Sequence, residues 1–124
     1  MKEKNYRKFY DLPVWKNALK ASKEIYKMTS KLPKKEDYGL TSQLRRAANS
    51  IGANIAEGFG RKKKLEKVQF YSYSIGSSHE TIHHLLYGQE IGYFEKGKVE
   101  KLVKKTDKII LNLNKIIKTI KDWN

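Results

Sequence analysis

The chain has 124 residues, no cysteine, and a formal net charge of +14 from 27 basic and 13 acidic side chains. That length suits one domain around one core, and the missing thiols exclude disulfides, thiolate zinc sites and thiol catalysis. The charge favours anionic partners: nucleic acid, acidic protein or anionic lipid. The N-terminus has no apolar run, and nowhere do about 18 apolar residues follow one another, so no secretory signal and no membrane span are expected. The expected location is cytoplasmic.

Residues 1–11 read as a basic arm in which Tyr6, Phe9 and Tyr10 are interleaved, and Phe9 to Leu12 is expected to dock on the body of the protein. Pro13 opens the first predicted helix, about 13–29, because proline is welcome in a first turn. Val14, Ala18, Ala21, Ser22, Ile25 and Met28 form its inner stripe. Pro33 ends helix in the segment that follows, which carries Lys34 and Lys35. Asp37 or Thr41 is positioned to cap the next helix.

The second predicted helix, about 39–59, has three faces. Leu40, Leu44, Ala47, Ile51, Ile55 and Phe59 recur at steps of three or four and make an apolar stripe. Ala48, Gly52, Ala56 and Gly60 make a line of small residues that lets another backbone come close. Gln43, Ser50, Asn54, Glu57 and Arg61 make a polar line with Arg46 at its edge. Glycine at 58 or 60 ends the helix, and Arg61-Lys62-Lys63-Lys64 forms a basic turn. Glu57 and Arg61 have the favourable i, i+4 order, a structural role for Arg61 that competes with phosphate contact.

The third predicted helix, about 65–91, carries two stripes. Val68, Tyr71, Ile75, Ser78, Ile82, Leu85 and Gln89 are expected to face the core. Phe70, Tyr73, Ser77, Glu80, His84, Tyr87 and Ile91 lie on another side and suggest a second subunit, since their spacing holds over three heptads. After a turn at 92–97 the last helix, about 96–122, has a core stripe from Val99 to Ile120. Lys101, Lys104, Lys108, Lys115 and Lys118 read as its solvated face, and Trp123 and Asn124 as a frayed end. Four helices with short connections predict an all-α, up-down antiparallel bundle.

One ordered set of residues also resembles a known family. Leu12-Pro13-Val14-Trp15, Tyr38-Gly39-Leu40, Gln43, Leu44-Arg45-Arg46-Ala47-Ala48, Ser50-Ile51, Asn54-Ile55-Ala56-Glu57-Gly58, Gly76-Ser77 with Glu80, and Gly92-Tyr93 are similar to the bacterial four helix bundle proteins. That family includes proteins encoded in intervening sequences of large-subunit ribosomal RNA genes. Accessory proteins of diversity-generating retroelements are similar in fold. The resemblance implies a cyclic homo-oligomer, typically a pentamer.

His79-Glu80-Thr81-Ile82-His83 matches the H-E-x-x-H pattern of zinc metalloproteases, where two histidines grip the metal and the glutamate activates water. A third ligand with a supporting motif is missing, and so is the sheet such sites lean on. Gly58-Phe59-Gly60-Arg61-Lys62-Lys63 lacks the Gly-Lys-Ser/Thr of a phosphate loop, and no serine has a nucleophile-elbow setting. No catalytic residue, metal or cofactor is therefore assigned.

The reading that follows is a non-catalytic, homo-oligomeric bundle that binds nucleic acid, RNA in preference. Arg61, Lys62, Lys63, Lys64, Lys34, Lys35 and Arg45 are its expected phosphate contacts. Arg46, Asn54, Glu57, Phe70, Tyr73, Ser77, Glu80 and Tyr87 are its expected subunit interface. The alternative is a scaffold whose partner is a protein, and a zinc metallohydrolase is the third reading.

Overall fold

A computed structural model describes residues 3–123; Met1, Lys2 and Asn124 lie outside it. The chain is an all-α, up-down four-helix bundle: α1 (Pro13–Thr29), α2 (Leu40–Gly60), α3 (Lys64–Glu90) and α4 (Lys96–Lys121). Among the described residues there is no strand, and no helix is long and apolar enough to cross a membrane. Contacts join α1 to α2, α2 to α3, α3 to α4 and α4 to α1, so α1 and α3 stand at opposite corners. The α2–α3 pair is the most closely packed. One end of the bundle holds the N-terminal arm, the α2–α3 turn and the end of α4. The other holds the α1–α2 and α3–α4 connections.

The apolar periodicities of α1, α2 and α4 become the core. Leu44, Ile51 and Ile55 of α2 meet Val14, Ala18 and Ile25 of α1 and Ile109, Leu113, Ile116 and Ile120 of α4, all buried. Leu12 is buried too, and Phe9 stands edge-on to Trp15 at 5.3 Å, so the aromatic end of the arm is docked as its composition suggested.

α3 departs from expectation. Its buried line is Lys67, Tyr71, Ser74, Ser78, Thr81, Leu85 and Gly88, one residue before the apolar line expected at several positions, and His84, expected on the outer stripe, is buried beside it. Val68, Ile75 and Ile82 are only half-buried at its flank. The physical reason is size. Small hydroxyl side chains let α3 lie close to α2, and each satisfies itself on a carbonyl rather than demanding a partner side chain. Ser74 Oγ donates across the seam to the Ile51 carbonyl at 2.8 Å, and Ser78 Oγ and Thr81 Oγ1 donate back to Ser74 and Ser77 at 2.9 and 2.8 Å. From the opposite side Ser22 Oγ reaches the Ala48 carbonyl at 3.0 Å.

Glycine matters at the ends of this seam. A Cβ on Gly58 would stand 3.2 Å from the Tyr71 ring, so its absence lets α3 begin against α2. The small line of α2 faces α1 at Gly52, where a Cβ would meet the Trp15 indole at 3.4 Å. Two further expectations are corrected. Neither Asp37 nor Thr41 caps α2: Gly39 is the cap position, and Glu36 Oε1 accepts the Leu40 N–H at 3.3 Å. Trp123 does not fray: its half-buried ring packs on the core cluster, and its carbonyl accepts a hydrogen bond from Lys64 Nζ.

Candidate nucleic-acid interface

Charge is not spread evenly over the bundle. α1 and α4 together carry thirteen lysines and three acidic residues, a net +10. On α2 and α3 four basic residues are matched by four acidic ones, and the pair is neutral with uncharged histidines. The helices alternate in apolar and polar faces, so the α4 lysines at 98, 101, 104, 105, 108, 115 and 118 all stand exposed. The α1–α4 side of the molecule is therefore a cationic ridge, and the opposite α2–α3 side is not.

The seven expected phosphate contacts fall into two groups. Arg45, Arg61 and Lys64 are engaged within the fold. Arg45 Nε donates to Thr29 Oγ1 at 2.8 Å, and its second amine donates to the Tyr26 carbonyl and Ser30 Oγ at 3.1 Å each. Its guanidinium lies 3.9 Å from the Tyr26 ring centroid. Arg61 pairs with Glu57 at 2.8 Å and Glu66 at 3.4 Å and covers the Phe70 ring at 4.7 Å. Lys64 closes on the end of α4 through the carbonyls of Lys121 and Trp123. Lys34, Lys35, Lys62 and Lys63 are exposed, and their ammonium groups have no ion pair or hydrogen-bond partner among the described residues. They sit at opposite ends of the bundle, Lys34 and Lys35 beyond α1, Lys62 and Lys63 beyond α2.

The eight residues expected at a subunit interface lie on the neutral α2–α3 side. Arg46, Glu57, Tyr73, Glu80 and Tyr87 are exposed, whereas Asn54, Phe70 and Ser77 are half-buried. Asn54 Nδ2 donates to the Ser50 carbonyl at 2.9 Å, and Phe70 and Tyr73 meet edge-on at 5.6 Å. Arg61 joins the polar line of α2 to the aromatic line of α3 at one end. At the other end Gln43, His83, His84 and Tyr87 line one cavity of about 320 Å³ with Glu36. The two lines thus run side by side along the bundle.

The H-E-x-x-H match is laid open by this geometry. His79 and His83 are exposed, and the histidine that α3 buries is His84, outside the motif. Glu80 Oε2 lies 3.1 Å from His84 Nε2, so the carboxylate steadies that ring. Among the described residues no group of three or more His, Asp and Glu side chains is placed to hold a metal ion.

One cluster was not foreseen. Glu3 is buried, and Lys67 Nζ donates to both its oxygens at 3.0 and 3.1 Å and to the carbonyls of Gly58 and Phe59 at 3.2 and 2.8 Å. Tyr71 donates its hydroxyl to the same carboxylate. Burial, then the Glu3 carboxylate, pushes the Tyr71 phenol far above the ordinary tyrosine range, so it remains a neutral donor. Lys67 also gathers the last carbonyls of α2, where a cation is favoured by the helix dipole. A lysine in register with Tyr71, Ser74 and Ser78 was the available signal for half of this cluster. Nothing in the sequence pairs position 3 with position 67.

The arrangement defines a class: an all-α four-helix bundle with one cationic and one neutral, aromatic-edged side. The model of the 23S rRNA-intervening sequence protein family matches residues 10–115, and the chain belongs to that family. A crystal structure of a protein of unknown function from the S23 ribosomal protein family of Bacteroides thetaiotaomicron has the same fold. It superposes with a TM-score of 0.79 at 22% identity, covering 86% of this chain and 96% of that one. No functionally curated protein matches the chain.

Proposed function

We propose that the chain is a non-catalytic RNA-binding bundle that assembles into a ring of identical copies, five-membered on the pattern its family resemblance implies. The observation that carries the RNA contact is the segregation of charge, +10 on α1 and α4 against none on α2 and α3. A dispersed charge would serve solubility; a one-sided one raises the local potential and draws a polyanion to a particular face. Lysines on phosphates give binding that is strong at low salt and largely blind to sequence. Lys34 and Lys35, on the connection that follows α1, extend this surface at one end. The test is a titration of single-stranded and structured RNA from about 50 to about 200 mM salt, over which affinity should fall log-linearly. No binding at the low end, from a chain carrying +14, would refute the reading.

The neutral side supports the assembly. Tyr73 and Tyr87 expose about half their surface there, at 49% and 50%, with charged Arg46, Glu57 and Glu80 among them. Aromatic residues and arginine are what interfaces enrich, and Tyr73, Tyr87 and Arg46 are of these types. Arg46→Ala and Glu57→Ala should each lower the mass seen by light scattering while leaving RNA affinity per subunit within about twofold, because neither lies on the cationic ridge. Unchanged mass in both variants would contradict the interface. Assembly intact but RNA binding absent would favour the scaffold reading instead.

A further inference from the structure

A cleft of about 530 Å³ opens between the C-terminal half of α1 and the N-terminal half of α4. Lys27 and Lys31 border it on one side, and Lys98, Lys101 and Lys105 on the other. Its floor is Met28 and Leu102. Glu24 is the one acid that lines it, and its Oε1 lies 2.6 Å from Lys105 Nζ.

We propose that this cleft seats a single RNA strand, with phosphates on the two lysine rows and base faces over Met28 and Leu102. The inference rests on the RNA-binding reading above and narrows it to one site. Three observations carry it. The first is the crowding of charge: five ammonium groups border one groove with one carboxylate between them, so the groove is incompletely neutralised and low-dielectric walls focus its field. The second is spacing. On α4, steps of three and four residues set Lys98, Lys101 and Lys105 about 4.5 and about 6 Å apart along the axis, a row that can follow successive phosphates of a strand, with Lys27 of α1 and Lys31 on the turn after it across the groove. A trough bounded by two neighbouring helices suits one strand tracked along its backbone, not a duplex. The third is residue type. All five cations are lysines, point charges that accept a phosphate in many orientations, as a strand held along its backbone without sequence preference requires.

Two features extend the site. Lys34 and Lys35 stand exposed on the turn after Lys31 and continue the α1 row beyond the cleft. Glu24 holds Lys105 as an internal counter-charge, so it weakens the site it lines.

The probe is a labelled oligouridylate, followed by anisotropy across the same salt range. A duplex of equal length and an oligoglutamate of equal charge serve as comparisons. K27A/K101A/K105A removes three exposed lysines, and its thermal transition checks that the fold persists. Its salt slope should drop by about 2 and its affinity by about tenfold or more, since each phosphate contact in a single strand contributes about 0.7 to the slope. E24Q should bind several-fold tighter, and K62A/K63A, at the far end, should bind within about twofold of the parent. If the parent binds no RNA, both this inference and the RNA reading fall. If the parent binds and the triple variant binds equally, the cleft is overturned while the RNA reading stands. Equal loss in K62A/K63A, weaker binding by E24Q, or tighter cleft-dependent binding of the duplex or of oligoglutamate would each overturn it as well.

Discussion

Glu3→Ala should destabilise the fold by about 3–5 kcal/mol in urea unfolding, the range seen when one partner of a buried ion pair is removed. The loss is not the strength of the Lys67–Glu3 contact. It is the cost of leaving the Lys67 ammonium, 8% exposed, with only the carbonyls of Gly58 and Phe59 for company. Tyr71 loses its acceptor at the same time, in a position with no access to water. Lys67→Met alone should cost a similar amount, because it strands the carboxylate. The double variant Glu3→Ala with Lys67→Met should recover much of the loss, since neither charge is then left unpaired. Added salt should leave the effect nearly unchanged, because a buried pair is screened far less than a surface one. A Glu3→Ala protein within about 0.5 kcal/mol of the parent, the range of an ordinary surface change, would show that the arm does not close this end of the bundle.

At the opposite end, Gly88→Ala should be nearly as damaging. A Cβ there would lie 2.3 and 2.4 Å from two atoms of the Phe94 ring, a separation no real contact tolerates. Phe94 cannot retreat freely. It is buried in the second core cluster with Leu85, Val99 and Leu102, and the Gly88 carbonyl accepts the Tyr93 N–H at 2.8 Å. The chain turns at Gly92, whose φ of 91° only glycine adopts without strain. Overpacking of this kind costs about 1–3 kcal/mol and occasionally more. Phe94→Leu should partly rescue Gly88→Ala by returning the space, so the two changes will be less than additive. An alanine variant that melts with the parent would mean that the α3–α4 corner is not closed by this contact.

Much of the fold was legible because α1, α2 and α4 keep their apolar residues at helical spacing. Those helices appear where periodicity and the stops at Pro33, Gly60 and Gly92 put them. α3 was harder to read. Its closest neighbour demanded small hydroxyls rather than large apolar groups, and serine looks the same to periodicity whether it faces water or a carbonyl. The aromatic line on the far side of α3 could be seen, because Phe70, Tyr73 and Tyr87 have no place in the core. The basic residues were read by their density along the chain, which drew attention to Arg61–Lys64. Density in space is a different quantity. Lys27, Lys31, Lys98, Lys101 and Lys105 come together only when α1 and α4 pack, and the three on α4 alone resemble any solvated face. Glu3 was hidden for the same reason, since its partners lie on α3, more than sixty residues along the chain.

The most direct measurement is lysine acetylation footprinting of the protein alone and saturated with oligouridylate, read residue by residue by mass spectrometry. Protection concentrated on Lys27, Lys31, Lys98, Lys101 and Lys105, with Lys62 and Lys63 still reactive, is the predicted result. Protection spread evenly over the surface, or centred on the α2–α3 turn, would contradict it.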